Sequence, residues 1–220
     1  MYITLIFLGI IMATVITWLL RQTFNTQPWV SAPADDEVSG TSMNTNNKAV
    51  ALTTFLAVAT SVFALFISAY TIRMDEPDWR PVAEPMLLWA NTAILILASV
   101  AYHLTRNAAV SGETSKLKPG LAISGALTIL FLLGQLVAWQ QMSAAGYHLD
   151  NNVANAFFYM LTAVHGLHML GGLWVWARST MKVWSGADAD SVRLSIELCT
   201  VYWHFLLLVW IVLFGMLLST

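Results

Sequence analysis

The amino-acid sequence predicts an all-α protein, a bundle of transmembrane helices with six spans, and three observations carry this prediction. Of the 220 residues, 58% are hydrophobic and only 10% are charged, whereas an ordinary soluble domain has about 25% charged residues. The apolar residues form six runs, each near the ~20 residues that a helix needs to cross ~30 Å of hydrocarbon. The formal charge of -2 gives no reason to expect a nucleic-acid partner.

The six predicted spans follow one another with polar connections between them. They are 2–20, 50–72, 86–104, 121–142, 153–176 and 194–218. The first run lacks a basic start, and Arg21 follows it where a signal peptide would need small residues, so we predict a retained helix. The chain is therefore divided into an N-terminal transmembrane helix at 1–21, a cytoplasmic linker at 22–47 and a five-helix domain at 48–220. No internal repeat is evident, which disfavours an inverted-repeat transporter.

The positions of the basic residues predict the orientation. Loops after the first, third and fifth spans hold eight of the ten Lys and Arg residues, and the loop after the second span holds Arg73 and Arg80. Because cytoplasmic loops are enriched in Lys and Arg, we expect both termini outside the cytoplasmic (inner) membrane. The loop with Arg73 also carries acidic residues. This loop is interpreted either as a solvated loop or as a docking surface for a basic partner such as cytochrome c.

Three histidines and one glutamate lie inside the last two spans, where ionisable groups are costly and suggest function. A short loop joins these spans, so we expect them to pack as antiparallel neighbours. At ~1.5 Å per residue, His168 and His204 lie ~12–15 Å from the same membrane surface. His165 lies one turn further from that membrane surface than His168, and on the same face of the helix. Glu197 is shallow, only three residues from the predicted end of its span.

Two readings of the histidines remain open. His168 and His204 lie at matching depth on different helices, as the ligands of a bis-histidine haem or a metal would. The alternative is that neutral histidines form hydrogen bonds between helices, beside small residues that allow close packing. A metal site would also want a carboxylate at the same depth, and Glu197 is too shallow, so we favour packing.

The remaining polar residues give weaker signals. Gln135, in the middle of span four, needs a buried partner, which we expect on another helix. His103, next to a span end, and His148, in an outer loop, are best explained as interfacial. The chain has no phosphate-binding glycine loop, no nucleophile with a positioned base and no pair of cysteine ligands, because Cys199 is the only cysteine.

Short motifs in spans two to six form an ordered series. They are FISAY at 66–70, LWANT at 88–92, LLGQLVAWQ at 132–140, NAFFY at 155–159, HGLH at 165–168, and Glu197 followed by Tyr202-Trp203-His204-Phe205. This series resembles subunit III of the haem-copper oxidases, the cytochrome c oxidase family. The last two motifs are the specific ones.

The resemblance implies a role without redox chemistry of its own. Subunit III of that family is all-helical, holds no haem or copper, packs against the catalytic subunit I, binds phospholipid in a cleft and supports proton uptake. It therefore implies that this chain carries no cofactor and that haem and copper belong to partner subunits I and II. It also implies a five-helix form of the subunit with one additional N-terminal helix.

The chain departs from the family pattern at two positions. Many members carry a carboxylate in the first shared helix, where this chain has Ala59, and another after the Tyr-Trp-His-Phe motif, where it has Leu207. Any role of those carboxylates does not carry over. Glu197 remains as a carboxylate that could anchor a lipid or subunit, collect protons, or simply favour the start of its helix through the dipole.

Other classes of protein stay as alternatives to the oxidase subunit. A subunit III-like accessory protein of nitric oxide reductase would share the same motifs. A small transporter or a haem-binding anchor would instead show substrate flux or a haem spectrum in the isolated chain.

Overall fold

The computed structural model describes residues 47–81, 85–149, 152–186 and 189–219. The predicted helix at 1–21 lies outside these residues, as does almost all of the linker at 22–47. The described chain forms five helices, which are α1 (Asn47–Arg73), α2 (Leu87–Val110), α3 (Thr114–Ala144), α4 (Val153–Trp184) and α5 (Ala189–Leu218). Each is long and apolar enough to cross a membrane, which confirms five of the six predicted spans.

The helices extend beyond the apolar runs that predicted them. Helix α3 has 31 residues and α4 has 32, or about 45–48 Å at 1.5 Å per residue. This length is close to the ~40–45 Å thickness of a bilayer that includes its headgroups. Hydropathy marks only the hydrocarbon part of a helix, so it misses the turns that continue through the headgroup region.

Helix α1 lies almost wholly in the first of two compact units into which the chain divides, with the boundary after Thr71. Its Thr and Ser hydroxyls donate hydrogen bonds to carbonyls one turn earlier, as at Thr53 with Ala49 (2.9 Å) and Thr60 with Leu56 (2.7 Å). Such bonds satisfy the hydroxyl within its own helix, which suits a helix in an apolar medium.

The second unit, residues 72–220, contains the other four helices. Helix α2 packs against α3 and α5, and α4 also packs against α3 and α5. Because connections of only a few residues join successive helices, neighbours run antiparallel and the four close into an up-down-up-down bundle. The predicted packing of the last two spans against each other is thereby confirmed.

Glycines with positive φ end α2 and α3. Gly112 (φ 71°) and Gly146 (φ 87°) occupy the left-handed region, which glycine adopts without a steric penalty. The next amide in each case reaches back to the helix, from Glu113 to Ala108 (2.9 Å) and from Tyr147 to Met142 (3.0 Å). This Schellman pattern satisfies terminal carbonyls and allows the chain to reverse within a few residues.

Other glycines let neighbouring helices approach closely. A Cβ added at Gly134 would overlap the Asn91 amide, and one at Gly125 would overlap the Trp176 ring. At Gly172 it would lie 2.6 Å from Cε1 of Tyr202. Small residues at helix crossings are the usual device for close packing in membranes, where dispersion contacts replace the hydrophobic effect.

The bundle has aromatic rings inside and aliphatic side chains outside. Fully buried rings include those of Phe131, Phe158, Trp203 and Trp210. Exposed positions on every helix of the unit carry large apolar residues, among them Leu97, Leu133, Leu167 and Leu208. An apolar exterior of this kind matches lipid or the apolar surface of another membrane subunit rather than water.

We predict that adjacent glycines of α4 respond differently to alanine. Gly171 has open space around its Cα, whereas Gly172 abuts Tyr202 and Trp203. Both substitutions gain helix propensity of about 1 kcal/mol, but overpacking at Gly172→Ala costs about 1–3 kcal/mol. The midpoint of thermal unfolding in detergent should therefore be lower for Gly172→Ala than for Gly171→Ala. Equal midpoints would contradict the close α4–α5 contact.

Candidate functional site

Aromatic side chains donate hydrogen bonds between the helices of the bundle. Trp139 Nε1 donates to Thr162 Oγ1 (3.0 Å) from α3 to α4. The Tyr202 hydroxyl donates to the His168 carbonyl (2.8 Å) between α5 and α4. Trp210 completes the series between α5 and α2, with its Nε1 2.9 Å from Thr92 Oγ1. These bonds fix the rotation of each helix and hence the direction in which its polar residues point.

His165 is a core residue of the bundle. It is only 1% exposed, and its ring centroid lies 6.0 Å from that of Phe131 and 5.2 Å from that of Trp210. The first histidine of the HGLH motif is therefore enclosed by aromatic rings of α3 and α5. This surrounding fits the packing interpretation of His165.

Two buried amide side chains lie on the facing helices α2 and α3. Asn91 is 1% exposed and Gln135 is 6% exposed. Within the described part of the chain, Asn91 Nδ2 and both amide atoms of Gln135 find no hydrogen-bond partner. Because Gly134 packs directly on the Asn91 amide, Gln135 sits at the same level of the bundle. We had predicted a partner for Gln135 on another helix, and the described side chains provide none.

His168 is placed differently from His165 although it lies on the same helix. Its Nδ1 is 2.8 Å from the carbonyl oxygen of Val164, one turn earlier in α4. A carbonyl only accepts, so this contact requires a proton on Nδ1. His168 contributes to the α4–α5 interface through its backbone, whose carbonyl accepts the bond from Tyr202.

The Tyr202-Trp203-His204 sequence divides between the interior and the exterior of the bundle. Trp203 is 1% exposed and stacks on Tyr102 of α2, with centroids 4.8 Å apart and planes at 11°. His204 is exposed, and its Nδ1 lies 2.5 Å from Ser99 Oγ of α2. His204 thus forms a hydrogen bond between helices, as expected, but to α2 rather than to the α4 helix that carries His168.

Glu197 lies near one end of the bundle and forms an ion pair with Arg193 one turn earlier, at 3.1 Å. Its side chain is 27% exposed and that of Arg193 is 47% exposed. Because α5 begins at Ala189 rather than at the predicted position 194, Glu197 is two turns inside the helix. The dipole effect fades within the first turn, so it does not explain this glutamate.

Basic residues gather at the same end of the bundle as Glu197, which we call the basic end. The antiparallel arrangement brings together the end of α2, the start of α3, the end of α4 and the start of α5. The basic end carries Arg106, Lys116, Lys118, Arg178, Lys182 and Arg193. Glu197 is therefore a carboxylate of α5 that lies at the end of the bundle where these cations gather.

The sequence reasoning missed the polar residues of α2. Asn91, Thr92 and Ser99 each meet another helix, and His103 lies 5.7 Å from His204 between ring centroids. A signal was present in the spacing, because Asn91, Ser99 and Thr105 recur at about two-turn intervals and share one face of a helix. Hydroxyl and amide side chains on one stripe of an apolar helix favour a helix interface there.

An open groove runs between α3 and α4 at the end opposite to the basic end. Its volume is about 630 Å³, and its walls are mainly apolar, as at Leu136, Trp139 and Met160. Gln140, Ser143 and His148 also line the groove, and all three are exposed; we call this polar part of the lining its mouth. An apolar trough with a polar mouth matches the shape of an acyl chain below its headgroup.

Side chains with metal-ligand chemistry do not cluster in the described part of the chain. No three His, Cys, Asp or Glu side chains come together there in a way that could hold a metal ion. The ring centroids of His103 and His204 lie 5.7 Å apart, so this pair brings together two imidazoles.

Comparisons with known proteins place the chain in a family. A family model described as cytochrome c oxidase subunit III matches residues 78–218. Cytochrome c oxidase subunit 3 of Synechocystis sp. is 32% identical over 170 residues, which cover 73% of this chain and 70% of that protein. A probable cytochrome c oxidase subunit 3 of Mycobacterium leprae is 31% identical over 157 residues, covering 68% and 76%.

A relative with a different named electron donor also matches. Cytochrome bo(3) ubiquinol oxidase subunit 3 of Pseudomonas aeruginosa is 25% identical over 155 residues, which cover 70% of this chain and 74% of that protein. The matches therefore define an all-helical membrane subunit of the kind found in respiratory oxidase complexes. The chain belongs to the cytochrome c oxidase subunit III family, as the sequence motifs predicted.

We predict that replacing the buried Gln135 amide by an apolar chain stabilises the bundle. Gln135→Met keeps the length of the side chain and removes an unpaired buried amide, which costs about 1–3 kcal/mol. Thr92→Val is the control, because it removes the bond to Trp210 and should cost about 0.6 kcal/mol. The free energy of unfolding of each purified variant in detergent measures both effects. A destabilised Gln135→Met variant would show that the amide is hydrogen-bonded in the folded protein.

Proposed function

We propose that the chain is the non-catalytic subunit III of a bacterial haem-copper terminal oxidase that works in aerobic respiratory electron transport. The family match over 78–218 carries this proposal, because it spans the whole four-helix unit. In this role the chain packs against the catalytic subunit I in a complex that includes subunit II. The relatives reported above are oxidase subunits, which favours an oxidase over a nitric oxide reductase complex.

The chain's own chemistry supports a structural role. The three histidines of α4 and α5 contact other groups of this chain, with His165 among aromatic rings, His168 on its own helix and His204 on Ser99. In the proposed complex, haem and copper belong to the partner subunits. A transporter or haem-binding anchor has no comparable support from the matched family.

Lipid binding is part of the proposed role, and the groove between α3 and α4 is a suitable place for it. An acyl chain would lie against Leu136 and Met160, and a headgroup would meet Gln140 or Ser143 at the mouth. This arrangement needs no carboxylate, which is consistent with the apolar residues Ala59 and Leu207 at the positions where many members carry one.

The loop after α1 gives limited support for docking of cytochrome c. Arg73 lies 2.5 Å from Asp78 and 3.9 Å from Glu76, so part of the negative charge is neutralised within the loop. Asn152 also holds the loop, by donating a hydrogen bond to the Arg80 carbonyl (2.6 Å). Since the relatives include both cytochrome c and ubiquinol oxidases by name, the other subunits decide the donor.

The basic end supports an orientation for the proposed subunit. Six of the basic residues gather there, and positive charge marks the cytoplasmic side of a membrane protein. We place the basic end at the cytoplasmic face of the inner membrane and both termini outside. Glu197 then faces the side from which an oxidase takes up protons.

We predict that the isolated polypeptide binds no redox cofactor. Purified alone, it should show no Soret absorption and no stoichiometric iron or copper, whereas the complex purified from native membranes should contain this chain together with haem-bearing subunits. The same spectra recorded on the His168→Leu and His204→Leu variants serve as controls. A haem band in the isolated chain that disappears in either variant would contradict the proposal.

We predict that Glu197 acts either in proton uptake or as an anchor, and pH separates these roles. If Glu197 collects protons, Glu197→Gln should slow oxidase turnover mostly at high pH, where protons are scarce. If it anchors a lipid or a subunit, turnover should fall equally at all pH values.

The ion pair of Glu197 supplies a matched control. Arg193→Gln breaks the same 3.1 Å contact but leaves the carboxylate in place. Turnover of Arg193→Gln should therefore stay close to that of the unsubstituted complex at high pH. Matching pH profiles for the two variants would show that only the ion pair matters, and unchanged turnover in both would exclude a role for Glu197.

A further inference from the structure

Two imidazoles lie on the outside of the bundle where α2 meets α5. His103 and His204 are both exposed, and their ring centroids are 5.7 Å apart. The contact between His204 Nδ1 and Ser99 Oγ holds the His204 ring against α2. Arg106 follows one turn after His103 on α2. The outward side of this junction therefore carries two imidazoles and a cation.

His204 lies too deep in its helix to be at the membrane surface. It lies seven residues from Glu197 on α5, and Ser99 lies seven residues from Arg106 on α2, or about 10 Å inside the charged level at 1.5 Å per residue. Ionisable side chains at such depth almost always face the bundle interior, a water-filled cavity or a partner group. His204 instead points away from the bundle interior.

The hydrogen-bonding state of His204 leaves one nitrogen to be satisfied. A neutral imidazole has one donor and one acceptor nitrogen. Because Ser99 engages Nδ1, Nε2 is the nitrogen left for a further partner, and the residue that carries it is exposed. Lipid tails supply none, whereas a polar side chain on a neighbouring transmembrane helix does.

The residues around the two imidazoles form a surface on which another helix can pack. Exposed apolar residues lie on the same helix faces as the two histidines, at spacings of three and four residues along each helix. With the histidines they form the imidazole face, which consists of Ile96, Val100 and His103 of α2 and Val201, His204 and Leu208 of α5. Branched side chains on two adjacent helices leave a shallow seam in which a third helix can pack.

We propose that the imidazole face is the docking surface for a transmembrane helix of another subunit of the oxidase complex. When the Ser99 hydroxyl donates to Nδ1, Nε2 carries the proton of the neutral ring and can donate to a group on that helix. A carboxylate suits this position best because Arg106 and His103 stand beside it. The inference rests on the proposed membership of an oxidase complex and adds the surface through which the chain joins it.

Site-specific cross-linking in the intact complex tests the surface. A photoreactive benzophenone residue is placed at Val100 or Leu208 on the imidazole face, and at Leu133 or Leu167 as exposed controls on α3 and α4. We expect cross-links from Val100 and Leu208 to one oxidase subunit, identified by mass spectrometry, and at least fivefold less of that product from the controls. Cross-links only to lipid, within the chain itself, or to proteins outside the oxidase would overturn the proposal.

Substitution of His204 tests whether its imidazole forms a hydrogen bond with the partner helix. His204→Leu should lower recovery of the partner subunit with the tagged chain several-fold, while His204→Gln, which keeps a hydrogen-bonding end, should retain most of it. His168→Leu makes the same change on α4 and should leave recovery unchanged. Equal recovery for all variants would overturn the role of His204.

These experiments distinguish an error in the proposed function from an error in the proposed docking surface. If the unsubstituted chain recovers no oxidase subunits from native membranes, the proposed function itself is wrong. If it recovers them but the cross-links come from Leu133 or Leu167, the complex exists and the imidazole face is not its docking surface.

Discussion

Side-chain hydrogen bonds between helices fix the geometry on which the rest of this structure depends. Helices in lipid gain little from apolar contact alone, because lipid tails are as apolar as leucine. The bonds donated by Trp139, Tyr202 and Trp210, together with close approach at Gly172, set the rotation of each helix. Once those rotations are fixed, the direction of every other polar side chain follows. His165 is enclosed, whereas His204 points outward.

Five of the predicted spans and the family were predictable from the sequence, because both depend on local patterns. Runs of apolar residues marked five described helices, and the HGLH and Tyr-Trp-His-Phe motifs indicated the family that the matched model confirms. The partner of His204 was not predictable in the same way. Depth can be counted along a helix, but rotation about its axis depends on packing. The count placed His204 level with His168, while the ring turned towards Ser99 of α2.

Helix ends explain the second difference between sequence and structure. Hydropathy placed the start of the last span at 194, which made Glu197 a residue of the first turn. The helix begins at Ala189, since residues in the headgroup region can be polar and still helical. The dipole therefore does not account for Glu197, and its ion pair with Arg193 remains as the local contact. Surface ion pairs contribute little to stability, so stability alone gives weak reason for a carboxylate at this position.

Unsatisfied polar groups occur both inside and outside the bundle, and they have opposite consequences. The Gln135 amide is enclosed by the chain's own helices, so no partner subunit can reach it and its cost falls on the fold. His204 is exposed, so the nitrogen of its imidazole that Ser99 does not engage can be satisfied by a neighbouring helix. A group that is satisfied only on assembly makes the complex more stable than the separate subunit, since binding of the folded state shifts the equilibrium towards it. For a subunit of a larger complex, such a surface is a direct physical route by which it can influence its partner.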